Sequence, residues 1–145
     1  MAQRLLSNEY PAGIGVLLLL LAAKFAVTVT SYASGTPGGI FAPILVLGTI
    51  TGVIVGHVGG WLLPAVAPTP TAFAVLGMAA VFTASVRAPL TGITLILEMT
   101  GEQRQLFAVC GACLVAYLVA EALRDRPIYE ALLDDELARR RAAAP

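Results

Sequence analysis

The sequence predicts an all-α membrane protein, a multi-helix bundle in which some helices are short, broken or re-entrant. Of its 145 residues, 58% are hydrophobic and only 12% are charged. The mean hydropathy of +0.84 is far above that of an average soluble domain. Glycine and proline interrupt the apolar runs, and two runs fall short of the roughly twenty residues that cross a bilayer. Short helices are tolerated where their ends lie in protein or line a polar cavity, which favours a transporter over a simple anchor.

The charges exclude one class of partner and orient the chain. Nine basic and nine acidic residues cancel, so there is no basic field to attract nucleic acid. Five of the basic residues follow the last apolar run, namely Arg124, Arg126, Arg139, Arg140 and Arg141. Since Lys and Arg concentrate on the cytoplasmic side of membranes, we expect a cytoplasmic C-terminus.

The first two apolar runs, residues 14–33 and residues 40–63, are long enough to span a bilayer. The second carries Gly48, Gly52 and Gly56 at intervals of four. This spacing places the three glycines on one helix face and lets another backbone approach closely. We therefore expect this face to pack against protein rather than lipid.

Prolines divide the middle of the chain. Pro64, Pro68 and Pro70 predict a loop after the second run, since each fixes its own φ and biases the preceding residue away from helix. Two shorter apolar helices are then predicted, at residues 73–85 and 89–99, and a polar turn follows them.

The last two predicted helices differ in character. Residues 106–123 form the last long apolar run, whereas residues 127–141 alternate apolar and charged side chains at helical spacing. We expect the first to lie in the membrane and the second to leave it as a cytoplasmic tail. Cys110 and Cys113 lie in the apolar run without a second pair, so we expect them to pack as small apolar residues and to bind no metal. No other cofactor is expected.

The most informative stretch is a Gly-rich turn, SGTPGGIFAP at residues 34–43, which opens directly into the second helix. A helix start leaves N–H groups without intrahelical acceptors and carries about half an elementary positive charge. No Ser, Thr, Asn or Asp immediately precedes Ile40 and Phe41 to cap these groups, so their amides are candidate donors to an anion. From the residues alone, an ordinary helix start that the protein caps itself explains the turn equally well.

Three elements of the sequence resemble the CLC family of chloride channels and chloride/proton antiporters. Gly39, Phe41 and Pro43 correspond to the family's GxFxP element, and residues 86–100, VRAPLTGITLILEMT, resemble a second family segment. The sequence RPIY at residues 126–129 resembles the start of the family's last membrane helix. The three elements occur in the family's order. The fold that this resemblance implies is part of the second half of a CLC-type inverted-repeat membrane domain.

The resemblance implies a central chloride site. The backbone N–H groups of Ile40 and Phe41 are expected to bind the anion, and the Tyr129 hydroxyl is expected to donate a third hydrogen bond. A phenol is a neutral donor that holds an anion without trapping it. Taken alone, Tyr129 is typical of an aromatic anchor at the membrane boundary. The supporting backbone turn is formed by Gly38, Gly39 and Pro43.

The resemblance further implies chloride transport by a chloride/proton antiporter of the bacterial inner membrane. A passive voltage-gated chloride channel is one alternative, and a membrane scaffold that transports nothing is another. The implied partners are chloride, the lipid bilayer and a second copy of the chain, which would pair through residues 89–99 and 106–123.

The family's coordinating serine, in a GSGIP-like element, and its gating glutamate, in a GREGP-like element, have no counterpart in this sequence. Both belong to the family's N-terminal half. We therefore expect the chain to supply only half of the anion site, as a truncated fragment or as one half of a split transporter.

Two charges interrupt the apolar runs, Lys24 and Glu98. A charge within a membrane is costly unless it has a partner or a function. We expect the two to form an intramembrane pair, with Arg87 as the alternative partner of Glu98. Proton transfer by Glu98 is the competing interpretation.

Overall fold

The computed structural model of the protein describes residues 13–33, 39–62, 69–101, 103–124 and 126–143. This part of the chain forms six α-helices and no strand. The helices are α1 (Ile14–Ala33), α2 (Phe41–Leu62), α3 (Pro70–Val86), α4 (Pro89–Thr100), α5 (Leu106–Ala122) and α6 (Ile128–Ala143), and a 3-10 turn at Gln103–Gln105 precedes α5. The predicted all-α architecture is confirmed.

Helix length divides the bundle into two classes. Within the described ranges, three segments are long and apolar enough to cross a membrane, namely Ile14–Tyr32, Phe41–Leu62 and Gln103–Ala122. The apolar helices α3 and α4 have only 17 and 12 residues. The bundle thus combines spanning helices with short ones, as the interrupted apolar runs predict.

Proline sets the start of α3 earlier than predicted. The sequence predicts a loop through Pro70 and a helix from residue 73, whereas the helix begins at Pro70 itself. The fixed φ of proline suits the first helical position, where its missing N–H costs no hydrogen bond. Thr69 before it has an extended backbone, with ψ of 147°. Pro64 and Pro68 lie outside the described residues.

The short helix α3 is the centre of the bundle, in contact with α2, α4, α5 and α6. Its buried side chains join a hydrophobic core to which α2, α4 and α5 also contribute, and we call this the main cluster. Its buried members are Ile44, Leu45, Val75, Met78, Ala79, Phe82, Ile96, Val109 and Cys113. A smaller cluster of Leu17, Val53 and Ala74 attaches α1 to the same body.

Glycine brings the backbones of α2 and α3 together. A Cβ placed on Gly48 would lie 2.7 Å from the Gly77 carbonyl oxygen, and one placed on Gly77 would lie 2.6 Å from the Gly52 Cα. Gly56 continues the contact one turn later, where a Cβ would lie 2.9 Å from the Phe73 Cβ. Real Cβ atoms do not approach other atoms this closely, so the packing of these two helices requires residues without side chains.

We expect Gly48→Ala to lower the free energy of unfolding by about 1–3 kcal/mol, because the added methyl group forces the two backbones apart. Gly111→Ala on α5 is the matched control, since a Cβ there would meet no atom within 4 Å. The control is expected to leave stability unchanged or to raise it by up to about 1 kcal/mol. Thermal unfolding of the detergent-purified variants measures both effects. Equal stability of the two variants would contradict the close approach.

Candidate anion site

The start of α2 presents backbone donors. The helix begins at Phe41, and the first intrahelical bond is donated by the Ile44 N–H to the Ile40 carbonyl, over 3.2 Å. Pro43 has no N–H. Within the described part of the chain, the N–H groups of Ile40, Phe41 and Ala42 have no acceptor. The sequence predicts the first two as donors but not Ala42, although Pro43 directly after it marks the first turn of the helix.

Aromatic packing fixes the orientation of this helix start. The Phe41 ring meets the Phe82 ring of α3 edge-to-face, with centroids 5.6 Å apart and planes at 78°. Ile40 is partly buried and also packs against the main cluster. Because Phe41 is held by Phe82 and Ile40 by the main cluster, the backbone amides of these two residues are held in a fixed direction.

The start of α6 meets the same cluster. Ile128 packs against the main cluster, and the Pro127 carbonyl accepts the N–H groups of Glu130 and Ala131 at 3.0 and 3.1 Å, which forms the first turn of the helix. Tyr129 follows and is 53% exposed. Its hydroxyl has no partner among the described residues and is therefore available as a donor, as are the amides of α2.

The remaining predicted members of the turn contribute differently. Gly39 and Pro43 line a cavity of about 140 Å³ between α1 and the start of α2. A Cβ on Gly39 would meet no atom within 4 Å, so nothing in the described part of the chain requires a glycine there for space. Gly38 lies outside the described residues.

The predicted pair of Lys24 and Glu98 is not formed in this structure. Lys24 is half-buried and lines the cavity next to the start of α2. Glu98 is exposed and lines a different cavity, of about 370 Å³, with Thr94 and Gln103. The physical reason is that the Lys24 helix packs on α2, whereas Glu98 is near the end of α4, on the α5 side of the bundle.

Arg87 has a partner that the sequence analysis did not identify. Its guanidinium donates through one nitrogen to the Glu121 carboxylate, over 3.1 Å, and through the other to the Ala120 carbonyl. The ion pair joins residues 34 positions apart in the sequence. No local spacing predicts such a contact, and the sequence suggests Arg87 only as a partner for Glu98.

The chain is similar to known chloride/proton transporters. It matches the family described as voltage gated chloride channel over residues 1–121. The H(+)/Cl(-) exchange transporter ClcA of Salmonella paratyphi A is 42% identical over 129 residues, which are 89% of this chain and 27% of that protein. The Yersinia pestis protein of the same name is 43% identical over 130 residues, covering 90% of this chain and 27% of that protein.

A solved structure gives the same result for the fold. The crystal structure of a slow cyanobacterial Cl-/H+ antiporter superposes with a TM-score of 0.86 and 39% sequence identity, over 94% of this chain and 32% of that one. The chain spans about a quarter of the length of the two transporters and a third of the crystallised chain.

We expect Phe41→Leu and Phe82→Leu to be coupled. Each substitution alone removes the edge-to-face contact, which contributes about 0.5–1.5 kcal/mol beyond the buried area. The double variant should therefore lose less stability than the sum of the two single losses, by about that amount. Unfolding of the four proteins measures the coupling, and strict additivity would show that the ring contact does not orient the start of α2.

Proposed function

We propose that this chain forms one part of the central anion site of a chloride/proton exchange transporter. The chain belongs to the voltage gated chloride channel family, and the proposal starts from that membership. The chain is an integral membrane protein, by its apolar helices and its relatives. The relatives named above are exchange transporters or antiporters, and this supports exchange over passive conduction. The remaining groups of the site are then supplied from outside these 145 residues.

One observation carries this proposal: the starts of α2 and α6 pack against a single hydrophobic cluster, and each offers donors that have no acceptor within the described ranges. Ile40, Phe41 and Ala42 contribute amides at the positive end of the α2 dipole. In a low-dielectric interior such N–H groups attract an anion strongly. A ligand that satisfies them removes the cost of unpaired backbone groups, and chloride is the ligand that the family relationship favours.

None of these donors carries a full positive charge, which suits an anion that must be released as well as bound. Backbone dipoles and a phenol hold a monovalent anion well enough for it to enter and weakly enough for it to leave. Tyr129 provides the neutral donor from α6. In this proposal its partly exposed ring faces the space that the rest of the transporter closes, and its hydroxyl completes the bonds to the anion.

The assembly of the transporter is a further part of the proposal. Large apolar side chains on α4 and α5 are exposed, namely Leu90, Met99, Phe107, Leu114, Val115 and Leu118. They support pairing of two copies through residues 89–99 and 106–123, with lipid covering the remainder. Five arginines follow the last apolar run, which supports a cytoplasmic C-terminus in a bacterial inner membrane.

We expect Tyr129→Ala to lower chloride affinity about tenfold, because a hydrogen bond to a charged ligand contributes about 1.5 kcal/mol or more. Leu133→Ala, one turn later on α6 and 58% exposed, is the matched control and should leave affinity unchanged. Isothermal titration of the full-length transporter with chloride gives both values. Unchanged affinity in Tyr129→Ala would show that this side chain is not part of the site.

We expect the full-length protein in liposomes to move protons when a chloride gradient is imposed, in the direction opposite to chloride. The measurement pairs a chloride electrode with a pH electrode outside the vesicles. Chloride flux without proton movement would instead support the channel alternative. Absence of both fluxes from correctly folded protein would support the non-transporting scaffold.

A further inference from the structure

We infer that Arg87 is a positioning residue of the anion site, whose guanidinium holds the last turn of α5 and thereby fixes the location of Tyr129. This inference rests on the proposed function, because it assumes that Tyr129 binds chloride. It concerns a residue that lies at the break between α3 and α4 and is not one of the predicted donors to the anion.

The backbone at Arg87 is the first sign that this side chain is required. Arg87 ends α3 in the left-handed region, with φ of 62°, and its N–H bonds to the Thr83 carbonyl over 2.8 Å. α4 ends in the same way at Gly101, with φ of 69° and an N–H bond to the Leu97 carbonyl. Glycine is the usual residue at such an end because it adopts this conformation without strain. An arginine in its place accepts strain, so its side chain and not its backbone is needed there.

The guanidinium is buried and reaches α5. Only 9% of the Arg87 side chain is exposed, against 67% of the Glu121 side chain with which it pairs. One nitrogen binds that carboxylate and the other binds the Ala120 carbonyl. A planar guanidinium donates to two acceptors in a fixed geometry, which a lysine ammonium cannot reproduce. The contact therefore fixes the direction of the α5 terminus as well as its distance from α3.

The hydrogen bonds at the end of α5 show why this contact is needed. The Val119 carbonyl accepts the Leu123 N–H, and the Glu121 carbonyl accepts the Arg124 N–H, each over 3.0 Å. The Ala120 carbonyl between them is taken by Arg87. The last carbonyls of a helix need partners from outside the helix, and a cation is favoured there by the helix dipole. Arg87 gives the end of α5 both a hydrogen-bond donor and a positive charge.

The end of α5 controls the start of α6 through a short connection. Only residues 123–127 separate the two helices, and Arg124 bends the chain with φ of 52°. Tyr129 is the second residue of α6 and follows Ile128, which packs against the main cluster. A displacement of the α5 terminus therefore passes through the connection to the Tyr129 hydroxyl.

The helix α3 thus influences the position of both elements that supply donors, the start of α2 and the start of α6. It contacts the start of α2 through the ring of Phe82, which packs against Phe41. Five residues later along the chain, Arg87 holds the end of α5, which leads to Tyr129. In this inference, the distance between the amides of α2 and the hydroxyl of Tyr129 is set by the Phe82 ring on α3 and by the Arg87 side chain at the end of that helix.

The test is a double-mutant cycle on chloride affinity in the full-length transporter, measured by isothermal titration. Arg87→Gly removes the guanidinium and keeps a residue suited to the left-handed helix end, so the loss reports the side chain alone. We expect it to lower chloride affinity about threefold to tenfold when Tyr129 is present. We expect no further loss when Tyr129 is already alanine. An equal loss in both backgrounds, or no loss in folded Arg87→Gly protein, would overturn the positioning role.

Two further variants separate positioning from charge. Arg87→Lys keeps the positive charge but loses the planar guanidinium, so its chloride affinity should lie between that of Arg87→Gly and that of the unaltered transporter. An affinity equal to that of the unaltered transporter would overturn the inference and show that the charge alone is sufficient. Arg104→Ala removes an exposed arginine that lies before the start of α5, at the opposite end of this helix from the Arg87 contact, and it should leave affinity unchanged. A loss as large as that of Arg87→Gly would show that the loss of any arginine has the same effect.

The design also distinguishes this inference from the function on which it rests. If Arg87→Gly protein does not fold, Glu121→Ala repeats the cycle from the exposed partner of the pair and is expected to give a smaller loss that depends on Tyr129 in the same way. If Tyr129→Ala alone leaves affinity unchanged, the Tyr129 assignment fails and the inference fails with it. If Tyr129→Ala lowers affinity but the losses are additive, only the role of Arg87 is overturned.

Discussion

A helix end that is buried in a membrane protein leaves backbone groups that water cannot reach, and this constraint explains much of the structure. Helix starts are dominated by proline, which has no N–H to satisfy: α3 and α4 begin with Pro70 and Pro89, Pro127 directly precedes α6, and Pro43 lies in the first turn of α2. Among the ends that the structure describes, α3 and α4 end in left-handed residues, and the Arg87 side chain binds the Ala120 carbonyl at the end of α5. At the start of α2, the amides of Ile40, Phe41 and Ala42 have no acceptor among the described residues.

Much of the bundle follows from local sequence, because apolar runs, prolines and glycine spacing are local signals. The glycine face of α2 and the break before Pro89 are of this kind, and so are the donors at Ile40 and Phe41. The family was predicted from three short elements in the right order, and the relatives and the fold confirm it. The roles of the site residues stay predictions.

What the sequence did not reveal depends on contacts between distant residues. The partner of Arg87 lies 34 positions away, on the exposed side of another helix. Lys24 and Glu98 looked like partners because both interrupt apolar runs, yet the packing of α1 on α2 carries them to different cavities. The central position of α3 was equally hidden, because its 17 residues look like any short apolar helix.

The glycine contact between α2 and α3 also limits how the molecule can move. The two backbones touch without intervening side chains, so no flexible side chain can move aside if the helices slide or rotate. A shift that shortens the distance between the backbones by a few tenths of an ångström therefore causes a steric collision. α2 and α3 therefore move as one rigid body. In the proposed transport cycle the wall formed by the α2 amides stays fixed, and the alternation between the two sides of the membrane is left to side chains and to the helices around this pair.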